Sequence, residues 1–315
     1  FMFCACSDSY EDATSKHVYG ENENPYLKVN LEGTTTMDME FPIARLEPKT
    51  VNLKDYAEKF HKSMGMTVDE VIAGLSATEV VFYNISTAKN CWVKTPTNKG
   101  TTGWYYNASG VITEAENAVA SVELNTTEKT LTVDIIGEPA VGTTLTVNVG
   151  FAINNGKDYD DYVRFCFNIG VTDPGSIIVN NTIPAGAYSA FSIEFAKYAE
   201  AIETCLDMTV AEFSEAVSDK EGPIAMYVID PETEEWDKES SYTANGIGYW
   251  VNSNGKVCGW GDTGATYFIE TGDACVNIGR HDNIPSGSVY KINFIYADKA
   301  DNSKYIQFIV TATME

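Results

Sequence analysis

The chain contains the stretch Gly248-Tyr249-Trp250-Val251-Asn252-Ser253-Asn254-Gly255, and a similar stretch occurs earlier in the sequence. Its other copy, at an offset of 145 residues, reads Gly103-Trp104-Tyr105-Tyr106-Asn107-Ala108-Ser109-Gly110. Aromatic and β-branched residues favour strands. The closing glycine supplies the positive φ that a hairpin turn needs. The sequence therefore predicts the same β-hairpin at two places.

Other segments repeat at nearly the same offset, which excludes chance. The matched pairs are Met66-Thr67-Val68 with Met208-Thr209-Val210, Trp92 with Trp236, and Tyr162-Val163-Arg164-Phe165 with Tyr305-Ile306-Gln307-Phe308. The sequence predicts two tandem repeats, residues 50–173 and 190–315, joined by a Pro/Gly-punctuated linker. Residues 1–49 are predicted to hold a signal remnant, an acidic tether and a possible extra strand.

Each repeat begins with helical spacing of apolar residues and continues with strands. The helical stripes are Leu53, Tyr56, Phe60 and Met64 in the first copy, and Phe195, Tyr198, Ile202 and Leu206 in the second. A second helix starts with a capping box, Thr67 with Glu70 or Thr209 with Glu212. Runs of period two then indicate antiparallel strands. The predicted fold class is α+β, with two tandem repeats, each a pair of N-terminal helices packed on an antiparallel β-sheet or sandwich.

The second copy resembles a family of domains of unknown function from secreted Bacteroidetes proteins, and is DUF4859-like. The resemblance rests on the hairpin of 248–255, its continuation Lys256-Val257-Cys258-Gly259-Trp260-Gly261-Asp262, and Asn277-Ile278-Gly279-Arg280. It extends to both repeats, although the first has no clear counterpart of the Trp-Gly-Asp segment near residues 112–116. Such domains occur in lipoproteins and beside glycoside hydrolases of glycan-utilisation systems. The resemblance implies this context and no catalytic residues.

The N-terminus resembles a clipped secretory signal of a lipoprotein. Cys6 follows the small residue Ala5, as in a lipobox, and Ser7-Asp8-Ser9-Tyr10-Glu11-Asp12 resembles the acidic export signal of surface lipoproteins. Cys6 is the predicted lipidation site, and Cys4, after the bulky Phe3, is the weaker candidate. The alternative is a disordered N-terminus with two incidental cysteines. Lipidation would place the protein at the outer membrane, lipid-anchored and surface-exposed, with membrane contact only through the anchor.

The composition argues against several classes of function. With 21 Lys and Arg against 45 Asp and Glu, the net charge is −24, which repels nucleic acid. There are only three His, and no hydrolase, dinucleotide-binding or P-loop motif occurs. We therefore expect no catalytic residues, no metal, no cofactor and no enzymatic activity. For the acidic loop of Asp158, Asp160 and Asp161, we favour a solvated hairpin over a Ca²⁺ site. An acid pair of the glycosidase type stays the less favoured alternative.

The later cysteines read as buried free thiols, with a Cys258–Cys275 disulfide left open. Most aromatic residues, Trp250 included, are expected to pack in the core. Three tryptophans differ because their neighbours are polar residues or glycines. These candidates for carbohydrate binding are Trp92, Trp236 and Trp260. An exposed indole beside amides and carboxylates suits a sugar, whose C–H groups stack on the ring while its hydroxyls are held by the polar groups.

These observations predict a non-catalytic cell-surface lipoprotein that acts as a glycan-binding accessory of a polysaccharide-utilisation system. Its partner would be a polysaccharide or oligosaccharide. The alternative is a structural or adhesive surface protein that binds another outer-membrane protein, because exposed aromatic residues serve both purposes.

Overall fold

The structure is a computed structural model that describes residues 17–156, 158–282 and 284–315. This part of the chain divides into two compact units. Unit 1 comprises the described residues up to Phe41 together with Leu46–Thr172, and unit 2 comprises Pro42–Arg45 and Asp173–Glu315. Cys6, the predicted lipidation site, lies outside the described residues.

Unit 1 is a β-sandwich of two five-stranded sheets. Its strands are β1 (Thr34–Pro42), β2 (Lys49–Asn52), β3 (Val80–Ser86), β4 (Cys91–Val93), β5 (Gly103–Tyr106), β6 (Ile112–Thr113), β7 (Ala120–Asn125), β8 (Thr130–Ile135), β9 (Thr144–Ile153) and β10 (Tyr162–Thr172). The two sheets have the strand orders β1-β10-β9-β3-β4 and β2-β8-β7-β5-β6. Two short helices, α1 (Ala57–Met64) and α2 (Val68–Ser76), separate β2 from β3 along the chain.

Unit 2 is built in the same way from a four-stranded and a five-stranded sheet. Its strands are β11 (Ser176–Ile183), β12 (Ala190–Glu194), β13 (Ile224–Val228), β14 (Gly248–Asn252), β15 (Val257–Cys258), β16 (Ala265–Thr271), β17 (Cys275–Arg280), β18 (Val289–Asp298) and β19 (Tyr305–Met314). The strand orders are β11-β19-β18-β13 and β12-β17-β16-β14-β15. Helices α3 (Ala199–Leu206) and α4 (Val210–Ser218) separate β12 from β13 along the chain.

The strands follow the same order in the two units. Strands β9 and β10 of unit 1 correspond to β18 and β19 of unit 2, and β5, β7 and β8 correspond to β14, β16 and β17. At the edge that β4 occupies in unit 1, unit 2 has an isolated bridge between Ile229 and Trp236. Part of the predicted linker is a strand, because β11 pairs with β19 in parallel.

The predicted α+β class is wrong. The chain is 42% strand and 15% helical, and its helices are short elements of a β-sandwich. An eight-residue helix is about 12 Å long, whereas a ten-residue strand such as β9 reaches about 33 Å. Each helix therefore contributes two to four buried residues to the core and does not cover a whole sheet. Phe60 of α1, for example, packs against Phe151 of β9 with ring centroids 5.6 Å apart.

The predicted capping boxes are confirmed at the second helix of each unit. Thr67 accepts a hydrogen bond from the backbone N–H of Glu70 at 3.2 Å, and the Glu70 carboxylate accepts one from the Thr67 N–H at 2.7 Å. Thr209 and Glu212 form the same pair of bonds, at 3.3 and 2.8 Å. Both boxes satisfy N–H groups that have no partner inside the helix.

Alternation along β14 and β16 determines which side chains face solvent. Successive residues of a strand point to opposite faces of the sheet. The inward residues belong to the core of unit 2 and are Tyr249, Val251, Tyr267 and Ile269. Trp250 and Phe268 lie between them along the strands and point to the outer face. On this outer face Phe268 is half-buried, and Trp250 is buried with 7% of its side chain exposed.

Candidate functional site

Trp92 does not face solvent, so the expectation that it presents an exposed indole is wrong. Its side chain is 0% exposed, and the rings of Tyr159 and Tyr162 meet it edge-on at 5.8 and 5.5 Å. The backbone N–H of Trp92 donates to the carbonyl of Pro25 at 2.9 Å, and Leu27 packs in the same cluster. Part of the predicted tether therefore covers this tryptophan, and its polar sequence neighbours lie in the turn before it.

Trp236 is half-buried, and its ring already has three neighbours. The ammonium of Lys238 lies 4.9 Å from the centre of the indole, a cation–π contact. The ring of Tyr227 lies nearly parallel to the indole at 6.2 Å, and that of Tyr305 meets it edge-on at 5.1 Å. The indole also lines a depression of about 420 Å³, and sugar binding by Trp236 stays a prediction.

Trp260 is exposed, in the turn that follows β15. Its side chain is 58% exposed, and its indole Nε1–H donates to the Tyr188 hydroxyl at 3.3 Å. The turn is closed by Asp262, whose carboxylate accepts from the Gly259 N–H at 2.6 Å. The turn therefore holds this indole at the surface, beside a second aromatic ring.

Trp260 and Tyr188 border a cleft of about 460 Å³ on the outer face of the five-stranded sheet of unit 2. We call it the aromatic cleft. Its lining consists of four aromatic residues with polar residues and an alanine at the rim: Tyr188, Trp250, Trp260 and Phe268, with Thr243, Ala244, Asn245 and Glu270. A cleft of this size, with aromatic walls and few polar groups, is typical of a small-ligand site.

The floor of the aromatic cleft is a cross-strand pair. Trp250 of β14 is paired with Phe268 of β16, and their ring centroids lie 5.2 Å apart at an interplanar angle of 61°. Phe268 is in turn paired with Gly279 of β17. Since Gly279 has no side chain, the Phe268 ring lies over the neighbouring strand. The sheet thus fixes the position of both rings from three adjacent strands.

Tyr188 forms one wall of the cleft in an unusual backbone conformation. Its φ is +58°, a region that a bulky side chain seldom adopts. The turn is held by the Ser189 N–H, which donates to the Gly186 carbonyl at 3.3 Å, and by the Arg280 N–H, which donates to the Ser189 carbonyl at 3.0 Å. Such strain is frequent where a side chain is positioned for binding. The ring of Tyr188 meets that of Trp250 edge-on at 6.2 Å.

A second depression, of about 610 Å³, adjoins the aromatic cleft at Trp260 and Tyr188. Its lining includes Thr266, His281 and Tyr290. The His281 ring lies 5.7 Å from that of Tyr188. The Trp260–Tyr188 pair therefore stands between two concave surfaces, which an elongated ligand could occupy together.

The rim of the aromatic cleft supplies polar groups at its open side. The Thr243 hydroxyl accepts from the Trp250 backbone N–H at 2.8 Å, which ties the rim loop to the floor strand. Glu270 is half-buried and follows Phe268 by two residues, so its carboxylate lies on the same face of β16. Together with Asn245, these residues offer hydroxyl, amide and carboxylate groups beside aromatic faces.

The cysteines of the described residues are free thiols: Cys91, Cys166, Cys205, Cys258 and Cys275. Burial, with a contribution from Asp262, raises the pKa of the Cys258 thiol to about 11, so it is protonated and unreactive at neutral pH. Across residues 17–156, 158–282 and 284–315, no three His, Cys, Asp or Glu side chains are grouped as a metal site would require. Within the same ranges, no helix combines the length and apolar character needed to cross a bilayer.

The sequence found one residue of the aromatic cleft and missed the others. Trp260 is the candidate that lies in it. Trp250 is buried as expected, with 7% of its side chain exposed, but on the outer face of the sheet beneath the cleft. Tyr188, Phe268 and Glu270 carry no distinctive motif. Strict alternation along β16 was the available signal, because it places Phe268 and Glu270 on one face.

Comparisons with solved structures find only distant similarity. The structure of SporoSAG from Toxoplasma gondii is 11% identical, with 90% of this chain and 96% of that chain covered and a TM-score of 0.24. Zebrafish RET cadherin-like domains 1 to 4 are 10% identical, with 94% and 52% covered and a TM-score of 0.22, so the chain spans about half of that protein. The bradyzoite-specific antigen BSR4 from Toxoplasma gondii is 8% identical, with 94% and 93% covered and a TM-score of 0.25. Similarity at this level supports no argument about function.

No curated protein matches the chain. A family model does match part of it. Residues 187–303, which include every lining residue of the aromatic cleft, match the family described as "Domain of unknown function (DUF4859)", so this part of the chain is DUF4859-like.

Proposed function

We propose that unit 2 is a carbohydrate-binding module and that its ligand lies in the aromatic cleft. The observation that carries the proposal is the arrangement of Trp260 and Tyr188 above the paired rings of Trp250 and Phe268. Exposed aromatic faces stack on the C–H groups of a sugar ring, and polar neighbours hold the hydroxyl groups. The adjoining depression beyond Trp260 would accommodate a further sugar residue, so we expect an oligosaccharide or polysaccharide as the ligand.

The proposal extends to the setting of the whole protein. We propose a non-catalytic surface lipoprotein of the Bacteroidetes type, anchored through Cys6 at the outer membrane, that retains glycan for a polysaccharide-utilisation system. Unit 1 would be a diverged copy of unit 2, as the repeated sequence and the common strand order suggest. Replacing Cys6 by Ala should move the protein from the membrane fraction to the soluble fraction, and unchanged fractionation would refute the anchor.

Glycan binding is tested by affinity-gel retardation on a panel of polysaccharides, followed by variants of the cleft. Trp260→Ala and Phe268→Ala should abolish the retardation that the parent protein shows. Tyr26→Ala is the matched control, because this ring is 73% exposed and is not among the lining residues of the cleft. Retardation that persists in both cleft variants would show that the binding site lies outside the cleft. If no polysaccharide of the panel retards the parent protein, glycan binding is refuted.

A second candidate function is binding to another outer-membrane protein, and one observation favours it. Ile178 of β11 and Ile309 of β19 are paired on adjacent strands, and they are 71% and 36% exposed. Neighbouring exposed apolar side chains are typical of protein contact surfaces. If no polysaccharide of the panel is bound, Ile178→Asp should reduce co-purification of an outer-membrane partner, whereas Trp260→Ala should not.

A further inference from the structure

Unit 1 contains a strand pair equivalent to the one that forms the floor of the aromatic cleft in unit 2. In unit 1, Gly103 of β5 pairs with Glu123 of β7. In unit 2, Gly248 of β14 pairs with Glu270 of β16. The two glycines are the first residues of the repeated stretch, so Glu123 and Glu270 occupy equivalent positions. Each carboxylate therefore stands at the same place relative to its hairpin.

The loop that precedes this strand is also equivalent in the two units. In unit 1 the Lys99 N–H donates to the Gly103 carbonyl at 3.1 Å. In unit 2 the Ala244 N–H donates to the Gly248 carbonyl at 3.2 Å. Both residues lie four positions before their glycine. Ala244 at the rim of the aromatic cleft is thus the counterpart of Lys99.

Unit 1 places its own ammonium group between a ring and a carboxylate. The Nζ of Lys99 lies 5.6 Å from the ring centre of Tyr105 and 4.0 Å from Oε2 of Glu123. Tyr105 is two residues after Gly103, as Trp250 is two residues after Gly248, so the two rings are equivalent. An ammonium in this place gains both a cation–π contact and an ionic attraction.

Unit 2 keeps the ring and the carboxylate but lacks the lysine. Trp250 replaces Tyr105, and tryptophan is the aromatic side chain that attracts cations most strongly. Among the described residues, no Lys or Arg forms an ion pair with Glu270 and no hydrogen bond reaches its carboxylate. Where unit 1 has the long side chain of Lys99, Ala244 has only a methyl group, and Ala244, Trp250 and Glu270 all line the aromatic cleft.

We propose that the aromatic cleft binds a primary ammonium group at the place that Lys99 Nζ occupies in unit 1. The inference rests on the proposed carbohydrate binding, and it names the ligand class as a sugar with a free amine. The amine would lie against the face of Trp250 and beside Glu270, while the sugar ring contacts Trp260 and Tyr188. Unit 1 cannot take this ligand, because its own lysine fills the position.

The experiment measures the affinity of the full chain for a glucosamine oligosaccharide and for the same oligosaccharide after N-acetylation. Measurements are made at about pH 6, below the pKa of an ordinary amine, so that the sugar amine is protonated. We expect the free amine to be bound roughly tenfold more tightly, a preference that falls as salt is added. Glu270→Gln keeps the shape of the side chain without its charge, and it should weaken the free-amine ligand far more than the acetylated one, so that the preference is lost.

A second pair of variants tests the place of the amine. Ala244→Lys restores the residue of unit 1, and Ala244→Met adds a side chain of similar length without charge. Both restrict the cleft and should weaken the acetylated ligand equally. Ala244→Lys should weaken the free amine further, since its own ammonium competes for Glu270. Equal effects of Lys and Met on the free amine would overturn the proposal.

The outcomes separate this inference from the proposed function. If both oligosaccharides bind equally and Glu270→Gln has no effect, the inference is overturned while carbohydrate binding stands. If neither oligosaccharide binds and no polysaccharide of the panel is retained, both are overturned. A lysine amide bound as tightly as the glucosamine oligosaccharide would overturn the assignment to a sugar and indicate a protein side chain as the ligand.

Discussion

The ring of Phe268 covers Gly279 so closely that a Cβ on Gly279 would lie 2.1 Å from the Cζ of Phe268. Real Cβ atoms never approach other atoms to this distance, so any other residue at position 279 must displace the ring. This contact joins β16 to β17 on the outer face of the sheet. It also determines where the floor of the aromatic cleft lies.

Gly279→Ala should therefore displace the Phe268 ring and reduce glycan retention. We expect a loss of about 1 kcal/mol or more in the free energy of unfolding, the usual effect of overpacking. Urea unfolding and affinity gels measure the two effects. In a Phe268→Ala background the same change should cost little, because the obstructing ring is gone. If Gly279→Ala lowers the free energy of unfolding equally in both backgrounds, the strain does not arise from contact with the Phe268 ring.

Trp92 and Trp260 should respond to alanine in opposite ways. Trp92 is fully buried, so Trp92→Ala should lower the free energy of unfolding by about 3–5 kcal/mol. Trp260→Ala should change it by about 0.5 kcal/mol or less, because the ring is exposed, while glycan retention disappears. Thermal unfolding and affinity gels on both variants provide the comparison. A strongly destabilised Trp260→Ala would mean that this ring supports the fold.

The contrast between these tryptophans shows what local sequence can reveal. Trp92 and Trp260 both have polar residues or glycines as neighbours, which favours exposure. Trp92 is buried because Leu27, Ala152 and Tyr162, all distant in sequence, pack around it. Such a contact leaves no trace near position 92. Burial by a remote segment is thus the kind of fact that periodicity and neighbours do not predict.

Individual hairpins and helix starts could be predicted from the sequence, but the way in which the sheets and helices pack into layers could not. Hairpins and capping boxes depend on local residues, and those at Thr67 and Thr209 are present as expected. The α+β class failed because helical spacing does not reveal how small a share of the sandwich the helices form. The aromatic cleft depends on registers such as that of Trp250 with Phe268, which join strands separated by a turn.

Tyr188 offers a test of strain at the cleft. A residue other than glycine pays roughly 1–2 kcal/mol in the left-handed region, which glycine does not. Tyr188→Gly should leave the free energy of unfolding within about 1 kcal/mol of the parent value while weakening glycan retention. Tyr188→Val, β-branched and poorly suited to φ +58°, should destabilise the fold clearly. Equal stability of the Gly and Val variants would show that the turn relaxes and that no strain is held there.

The capping boxes predict how stability depends on acid. Hydrogen bonds from the Thr67 and Thr209 backbone N–H groups, and from their hydroxyls, lower the pKa of Glu70 and Glu212 below the ordinary value of 4.5. A lowered carboxylate pKa stabilises the fold above the unfolded-state value, and this contribution is lost as the pH falls through the lower folded-state pKa. The free energy of unfolding, measured with urea between neutral and acidic pH, should therefore decline below about pH 4.5. The decline should be shallower in the Glu70→Gln/Glu212→Gln double variant. Glu128→Gln, at an exposed glutamate in the turn between β7 and β8, is the control and should keep the parent profile. A double variant whose decline matches that of the parent would mean that the two boxes hold their helices without help from the charge.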